Sequence, residues 1–80
     1  MKNLPEQTIE EIAKPFLERS GFKVEEIRNR LHRQEIAWVR AKISIAAYNA
    51  GWGYSAIGRY LGVGHDTVLG HVRDERRKHE

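Results

Sequence analysis

The stretch Gly58–Val72, GRYLGVGHDTVLGHV, combines four glycines with regularly spaced aliphatic residues. A helix-turn-helix needs a small residue where its two helices cross, and a residue that accepts positive φ where the first helix ends. Gly58 and Gly62, four residues apart, meet both needs. The stretch therefore predicts a helix-turn-helix, whose shared core would hold Ile57, Leu61, Val63 and Val68.

Two other interpretations of this stretch were weighed. A phosphate-binding loop requires a preceding strand and a following Lys-Ser/Thr pair, and Gly62-Val63-Gly64 has neither. An ordinary helical hairpin without a DNA-binding role remains open, because helix pairs are common in small α domains.

The rest of the chain also has helical spacing and no alternating strand pattern. We expect one all-α domain over residues 1–80, a small bundle of about five helices, with residues 1–7 and 77–80 frayed. Thr8 and Glu11 are spaced as a capping box for the first helix, and Gly21 is a stop signal. Pro15 is expected to kink that helix or divide it into two.

The third predicted helix, from about Ile36 to Ala50, is apolar around most of its circumference, including Trp38. Such a helix belongs at the centre of a bundle. Most of the aromatic residues are expected in the core, although exposed aromatics would favour a protein interface. Those considered for this second role are Trp38, Trp52, Tyr54 and Tyr60.

Composition excludes several classes of protein. The 80 residues contain no cysteine, which rules out disulfides and thiolate metal sites. No apolar run approaches the roughly 20 residues of a membrane helix, and MKNLPEQTIEEI lacks the apolar stretch of a signal peptide. The four histidines and the carboxylates form no triad or metal-ligand spacing. We expect a cytoplasmic protein that is not an enzyme and holds no cofactor or metal.

The positive charge is unevenly distributed. Residues 1–26 carry four Lys/Arg against six Asp/Glu, whereas residues 27–80 carry ten against five. Basic residues cluster from Arg28 to Lys42 and from Arg73 to Lys78. This asymmetry favours a polyanionic partner, although basic helix ends also serve solubility and the helix dipole.

If the helix-turn-helix binds DNA, the first turn of its second helix meets base edges in the major groove. That turn contains His65, Asp66 and Thr67. His65 can donate or accept a hydrogen bond, and Thr67 offers a hydroxyl and a methyl group. Asp66 could accept a hydrogen bond from a cytosine amino group, or it could cap the helix. Helix capping is also the alternative role for His65.

With these residues placed, the segment Gly53–Arg73, GYSAIGRYLGVGHDTVLGHVR, resembles the signature of the C-terminal DNA-binding domain of the bacterial replication initiator DnaA. FKVEEIRNR, residues 22–30, and IAWVRAKISIAAY, residues 36–48, are similar to upstream segments of that family. Direct matches to the signature are Ile57, Gly58, Leu61, Gly62, His65, Thr67 and Val68.

The resemblance implies a free-standing DnaA-like domain, of the kind found in phage and mobile-element proteins, without the ATPase module. It implies that Arg40 enters the DNA minor groove and that His65, Asp66 and Thr67 read the major groove. Lys42, Arg33 and Arg59 are further candidates for phosphate contacts. Gly64 stands where the family has an aspartate, so the preferred DNA site is expected to differ from the family's own.

The leading hypothesis is therefore sequence-specific binding of double-stranded DNA in replication or transcription, by a monomer or weak dimer. The alternative is a protein-interaction adaptor that binds a replication or transcription factor through exposed aromatic residues.

Overall fold

The computed structural model describes residues 5–28 and 34–78, with side chains through Asp74. These residues form five α-helices and no strand, which confirms the predicted all-α bundle. The helices are α1 (Ile9–Ser20), α2 (Val24–Arg28), α3 (Gln34–Asn49), α4 (Tyr54–Leu61) and α5 (His65–Lys78).

Helix α1 begins and ends as its sequence predicts. The Thr8 hydroxyl accepts from the Glu11 amide at 3.1 Å, and the Glu11 carboxylate accepts from the Thr8 amide at 3.1 Å. Gly21 ends the helix with φ of 78°. One helix runs through Pro15, so the division into two helices is wrong, and the kink expected as the alternative stays a prediction. Buried Ile12 on its N-terminal side and Phe16 on its C-terminal side both pack in the core, so tertiary contacts hold the helix together around the missing amide.

Helix α3 is the centre of the bundle, as predicted, and contacts each of the other four helices. Its buried polar side chain is Ser44, whose hydroxyl donates to the Arg40 carbonyl at 2.8 Å. This bond satisfies the hydroxyl within its own helix, so that apolar side chains can surround it. The core residues are Ile9, Ile12, Ala13, Ile27, Ile36, Val39, Ile43, Ala47, Ile57, Leu61 and Val68.

The aromatic residues divide between the core and the surface. Trp52, Tyr54 and Tyr60 are half-buried against the core. The Trp52 indole donates to the Gln7 carbonyl at 2.9 Å, which ties the segment before α1 to the α3–α4 connection. Trp38, in contrast, is 61% exposed, so it does not belong to the core in which most of the aromatic residues were expected.

The connection between α4 and α5 confirms the roles predicted for two glycines. A Cβ atom at Gly58 would lie 2.7 Å from the Val63 carbonyl oxygen, closer than real Cβ contacts come. Gly62 ends α4 with φ of 72°, in the left-handed region. The Val63 amide donates back to the Gly58 carbonyl at 2.9 Å, and this bond closes the turn.

Replacing Gly58 with alanine should therefore lower the free energy of unfolding by about 1–3 kcal/mol, because a backbone carbonyl must move to admit the methyl group. Gly70→Ala is the matched control. Gly70 lies inside α5, and nothing would come within 4 Å of its Cβ. This variant should gain about 0.5–1 kcal/mol from helix propensity. Urea denaturation measures both values, and shifts of the same sign would contradict the crossing role of Gly58.

Candidate nucleic-acid interface

The predicted base-reading residues lie together on the exposed first turn of α5. The Gly64 carbonyl accepts from the amides of Thr67 at 3.1 Å and Val68 at 3.4 Å, which places Gly64 at the start of the helix. His65, Asp66 and Thr67 follow it, and all three side chains are exposed. A Cβ at Gly64 would meet nothing within 4 Å. The missing side chain at this position is therefore not required by packing.

His65 and Asp66 are neighbours that interact at the surface. His65 Nε2 lies 3.2 Å from Asp66 Oδ1, and their side chains are 65% and 90% exposed. When His65 is protonated, this contact is an ion pair that offsets the negative charge of Asp66.

A cleft of about 400 Å³ adjoins this turn, between α2, α3, the α4–α5 connection and α5. Basic or hydrogen-bonding side chains from three helices line it, together with the backbone of the turn. Thr67 belongs both to the exposed first turn and to the cleft. The lining residues are Arg28, Ala37, Arg40, Gly62, Val63, Gly64, Thr67 and His71.

Arg40 is half-buried at this cleft, where its Nε donates to the Ile27 carbonyl at the end of α2. This bond fixes the side chain along the cleft wall and connects α3 to α2. The structure thus brings Arg40 and Thr67 to one cleft, as a shared interface requires. A projecting arginine that reached into a minor groove would first have to leave the Ile27 carbonyl.

Arg28 is a cleft residue that sequence reasoning did not single out. Its Nε donates to the Tyr60 carbonyl at 2.6 Å, and its guanidinium carbon lies 5.0 Å from the centroid of the Tyr60 ring. These contacts hold the end of α2 against α4, at the edge of the cleft. Arg28 stands at the start of the basic Arg28–Lys42 segment, which suggested a role in binding an anion. The sequence did not indicate which arginines of that segment lie beside the α4–α5 turn.

His71 is the second cleft residue that the sequence reasoning missed. It follows Thr67 by four residues in α5, which places both on the same face of that helix. Partial burial lowers the pKa of His71, while the Asp74 carboxylate raises it and Arg40 lowers it further. The imidazole therefore favours its neutral form. The i, i+4 spacing from Thr67 was the feature of the sequence that could have placed His71 at the cleft.

Two of the three predicted phosphate contacts, Lys42 and Arg59, lie in the described part of the chain, and neither lines the cleft. Lys42 Nζ lies 5.3 Å from the centroid of the Trp38 ring. In a helix, residue 42 is rotated about 200° from residue 40, so this lysine lies on the other side of α3 from Arg40. Arg59 is exposed on α4 and does not line the cleft. Arg33 lies outside the described residues.

The cleft can bind an anion. Two guanidinium groups, a hydroxyl and an imidazole face a space bounded on one side by a glycine-rich turn, and phosphate oxygens accept hydrogen bonds from all of these groups. Within residues 5–28 and 34–74, no three His, Asp or Glu side chains are grouped so that they could hold a metal ion.

Scans against protein-family models, curated proteins and solved structures each return no match for this chain. The resemblance to the DnaA domain therefore stays an interpretation of the sequence. None of the helices in the described part of the chain is both long enough and apolar enough to span a membrane.

The lowered pKa of His71 predicts a pH-dependent stability. A histidine whose folded pKa lies below its unfolded value of about 6.5 costs stability as the pH falls through that value, because the unfolded chain binds the proton first. Wild type should therefore lose stability relative to His71→Gln between about pH 7.5 and about pH 5.5. Urea denaturation at both pH values measures the difference, which also cancels contributions from the other histidines. Parallel pH profiles for the two proteins would contradict it.

Proposed function

We propose that this chain binds double-stranded DNA through the first turn of α5 and the adjoining basic cleft. The observation that carries the proposal is the cleft itself, where Arg28, Arg40, Thr67 and His71 from three helices meet beside an exposed helix start. An α-helix fits the DNA major groove, and phosphates flank that groove on both sides. One surface of this domain therefore has groups that can contact base edges and groups that can contact the phosphates of the DNA backbone.

Each group in the proposed interface has a separate task. His65 and Thr67 contact base edges, since both are exposed on the turn that enters the groove. Arg28 and Arg40 contact phosphate from the cleft. The minor-groove role that the resemblance implies for Arg40 would cost its hydrogen bond to Ile27, whereas a phosphate at the cleft would leave that bond in place.

The charge around Asp66 bears on specificity. A carboxylate on the reading turn repels phosphate but accepts a hydrogen bond from a cytosine amino group. The neighbouring His65 offsets its charge when protonated. We propose that Asp66 selects for particular bases and contributes little to overall affinity. The biological role that the resemblance supports is regulation of replication or transcription.

The salt dependence of binding tests the phosphate contacts with a matched pair of variants. Arg28→Gln and Lys42→Gln each remove one positive charge, but only Arg28 lines the cleft. The affinity of wild type should fall by about 0.9 log units per log unit of salt for each phosphate contacted. Arg28→Gln should reduce this slope by about one, and Lys42→Gln should leave it unchanged.

Fluorescence anisotropy with a labelled duplex at several salt concentrations gives these slopes, and circular dichroism verifies that both variants are folded. Wild-type affinity that does not depend on salt would overturn the proposal. Equal slopes for the two variants would show that the cleft does not contact phosphate, and the cleft would no longer be part of the proposed interface.

Substitutions on the reading turn test base recognition. A duplex selected from a random library should bind His65→Ala and Thr67→Val more weakly than wild type, by about 1 kcal/mol or more. Binding to random duplex should change little, because phosphate contacts dominate it. Both side chains are exposed, so the fold should tolerate their loss. A library that yields no enriched site, or equal losses on both duplexes, would exclude sequence-specific reading by this turn.

A protein-binding role is the second candidate, and the exposed Trp38 is the observation that favours it. Exposed tryptophans are enriched at the centres of interfaces. Trp38 lies on the side of α3 away from the cleft, beside Lys42. A protein partner bound there should no longer bind Trp38→Ala but should still bind His65→Ala. DNA binding should show the opposite pattern, with loss in His65→Ala and none in Trp38→Ala.

A further inference from the structure

A second surface feature lies away from the basic cleft, between α1, α2 and α4. It is a groove of about 740 Å³, a size typical of binding clefts. Its walls include Leu17 of α1, Phe22 of the α1–α2 connection and Tyr60 of α4, all of them half-buried. These three side chains form an apolar strip that the fold leaves partly open. We call the whole feature the acidic groove, after the charged residues of its rim.

The rim of the acidic groove carries an excess of negative charge. Four glutamates and two lysines line it. Glu10 and Glu25 lie in the first turns of α1 and α2, where the helix dipole favours carboxylates. Glu18 lies near the carboxyl end of α1, where the dipole disfavours a negative charge. The helix dipole therefore does not account for the carboxylate of Glu18.

The carboxylates converge on the groove from different helices. Desolvation raises the pKa of the Tyr60 phenol, Arg28 lowers it, and the Glu10 and Glu25 carboxylates raise it further. Glu10 belongs to α1 and Glu25 to α2, so both helices direct negative charge toward the same tyrosine on α4. The apolar strip is consequently bordered by carboxylates of α1 and α2, which outnumber the lysines of the rim, while the Arg28 guanidinium lies over the Tyr60 ring at its edge.

This combination restricts what can bind. Nucleic acid and anionic lipid surfaces carry phosphates that the glutamates would repel. An apolar strip with charged borders fits an amphipathic helix, which lays its apolar face into such a groove. Complementary charge on that helix would be lysine and arginine beside the apolar face.

We propose that the acidic groove docks an amphipathic helix of a partner protein that carries apolar anchors flanked by lysine and arginine. The groove does not overlap the basic cleft, so this inference does not depend on DNA binding. A partner held here would leave the first turn of α5 exposed. The domain would then have two faces of opposite charge for two kinds of ligand.

The test uses the full chain and a designed probe. A fluorescein-labelled peptide carries leucine and phenylalanine on one helical face and lysine and arginine on its flanks. A control peptide keeps the apolar face and replaces the basic flanks with glutamate. Titration should give saturable binding for the basic peptide and at least about tenfold weaker binding for the acidic one, with a difference that salt reduces.

Variants of the chain locate the site. Glu18→Gln and Glu25→Gln should each weaken the basic peptide by up to about fivefold at low salt. Glu35→Gln, which removes the same charge from α3 outside the groove, should leave the affinity unchanged. In wild type, amide chemical-shift changes should centre on Leu17, Phe22 and Tyr60, a readout that does not require any variant to fold.

Two outcomes would overturn the inference. One is equal affinity for the two peptides, and the other is a set of shift changes centred away from the groove. Sedimentation of the chain alone tests a second copy as the occupant. Self-association that Glu18→Gln and Glu25→Gln abolish would replace the partner helix with another copy of this chain. Loss of specific DNA binding in His65→Ala and Thr67→Val, with peptide binding intact, would separate the two proposals.

Discussion

The close approach of Gly58 to the Val63 carbonyl is the constraint on which the rest of the structure depends. With no side chain at Gly58, the backbone of the turn lies directly against α4, and the Val63 amide can bond back to it. This contact sets the direction in which α5 leaves the turn. Val68 then enters the core against α3, and the first turn of α5 stays exposed. A larger residue at position 58 would change all of these positions together.

The basic cleft is built from contacts that also hold the fold. Arg40 bonds to the carboxyl end of α2, and Arg28 bonds to the backbone of α4. Both guanidinium groups are therefore positioned before any ligand arrives, so less side-chain freedom is lost on binding. The same contacts bring residues from α2, α3 and α5 to one place. Stability and the proposed function are thus carried by the same side chains.

Local features of this fold were predictable because they depend on a few neighbouring residues. The capping box at Thr8, the left-handed Gly62 and the small residue at the helix crossing follow from short-range geometry. The division into two helices that was one expectation at Pro15 does not occur, because core packing on both sides outweighs a local preference. The sequence left the place of Trp38 open for a related reason. A helix that is apolar all round does not reveal which of its sides the other helices leave uncovered.

The candidate site was predictable in part. The residues of the first turn of α5 could be predicted to lie together because they are adjacent in sequence. The positions of Arg28 and His71 at the cleft depend on which helices meet around it, and a pattern within one helix does not contain that information. Lys42 and Arg40 are only two residues apart, yet helical rotation sends them to different surfaces. A charge cluster in the sequence of a helix therefore does not show which of its basic groups line one cleft.

The bond between the Trp52 indole and the Gln7 carbonyl, which are 45 residues apart in sequence, bears on the order in which the chain assembles. Helices α3, α4 and α5 are joined by short connections and pack against one another. Packing each of them on the next therefore closes only a small loop. The bond between Trp52 and Gln7 closes a much larger loop, and it forms only when the α3–α4 connection lies against the segment before α1. We therefore expect the segment before α1 to be fixed late in folding, and the environment of Trp52 to report that step.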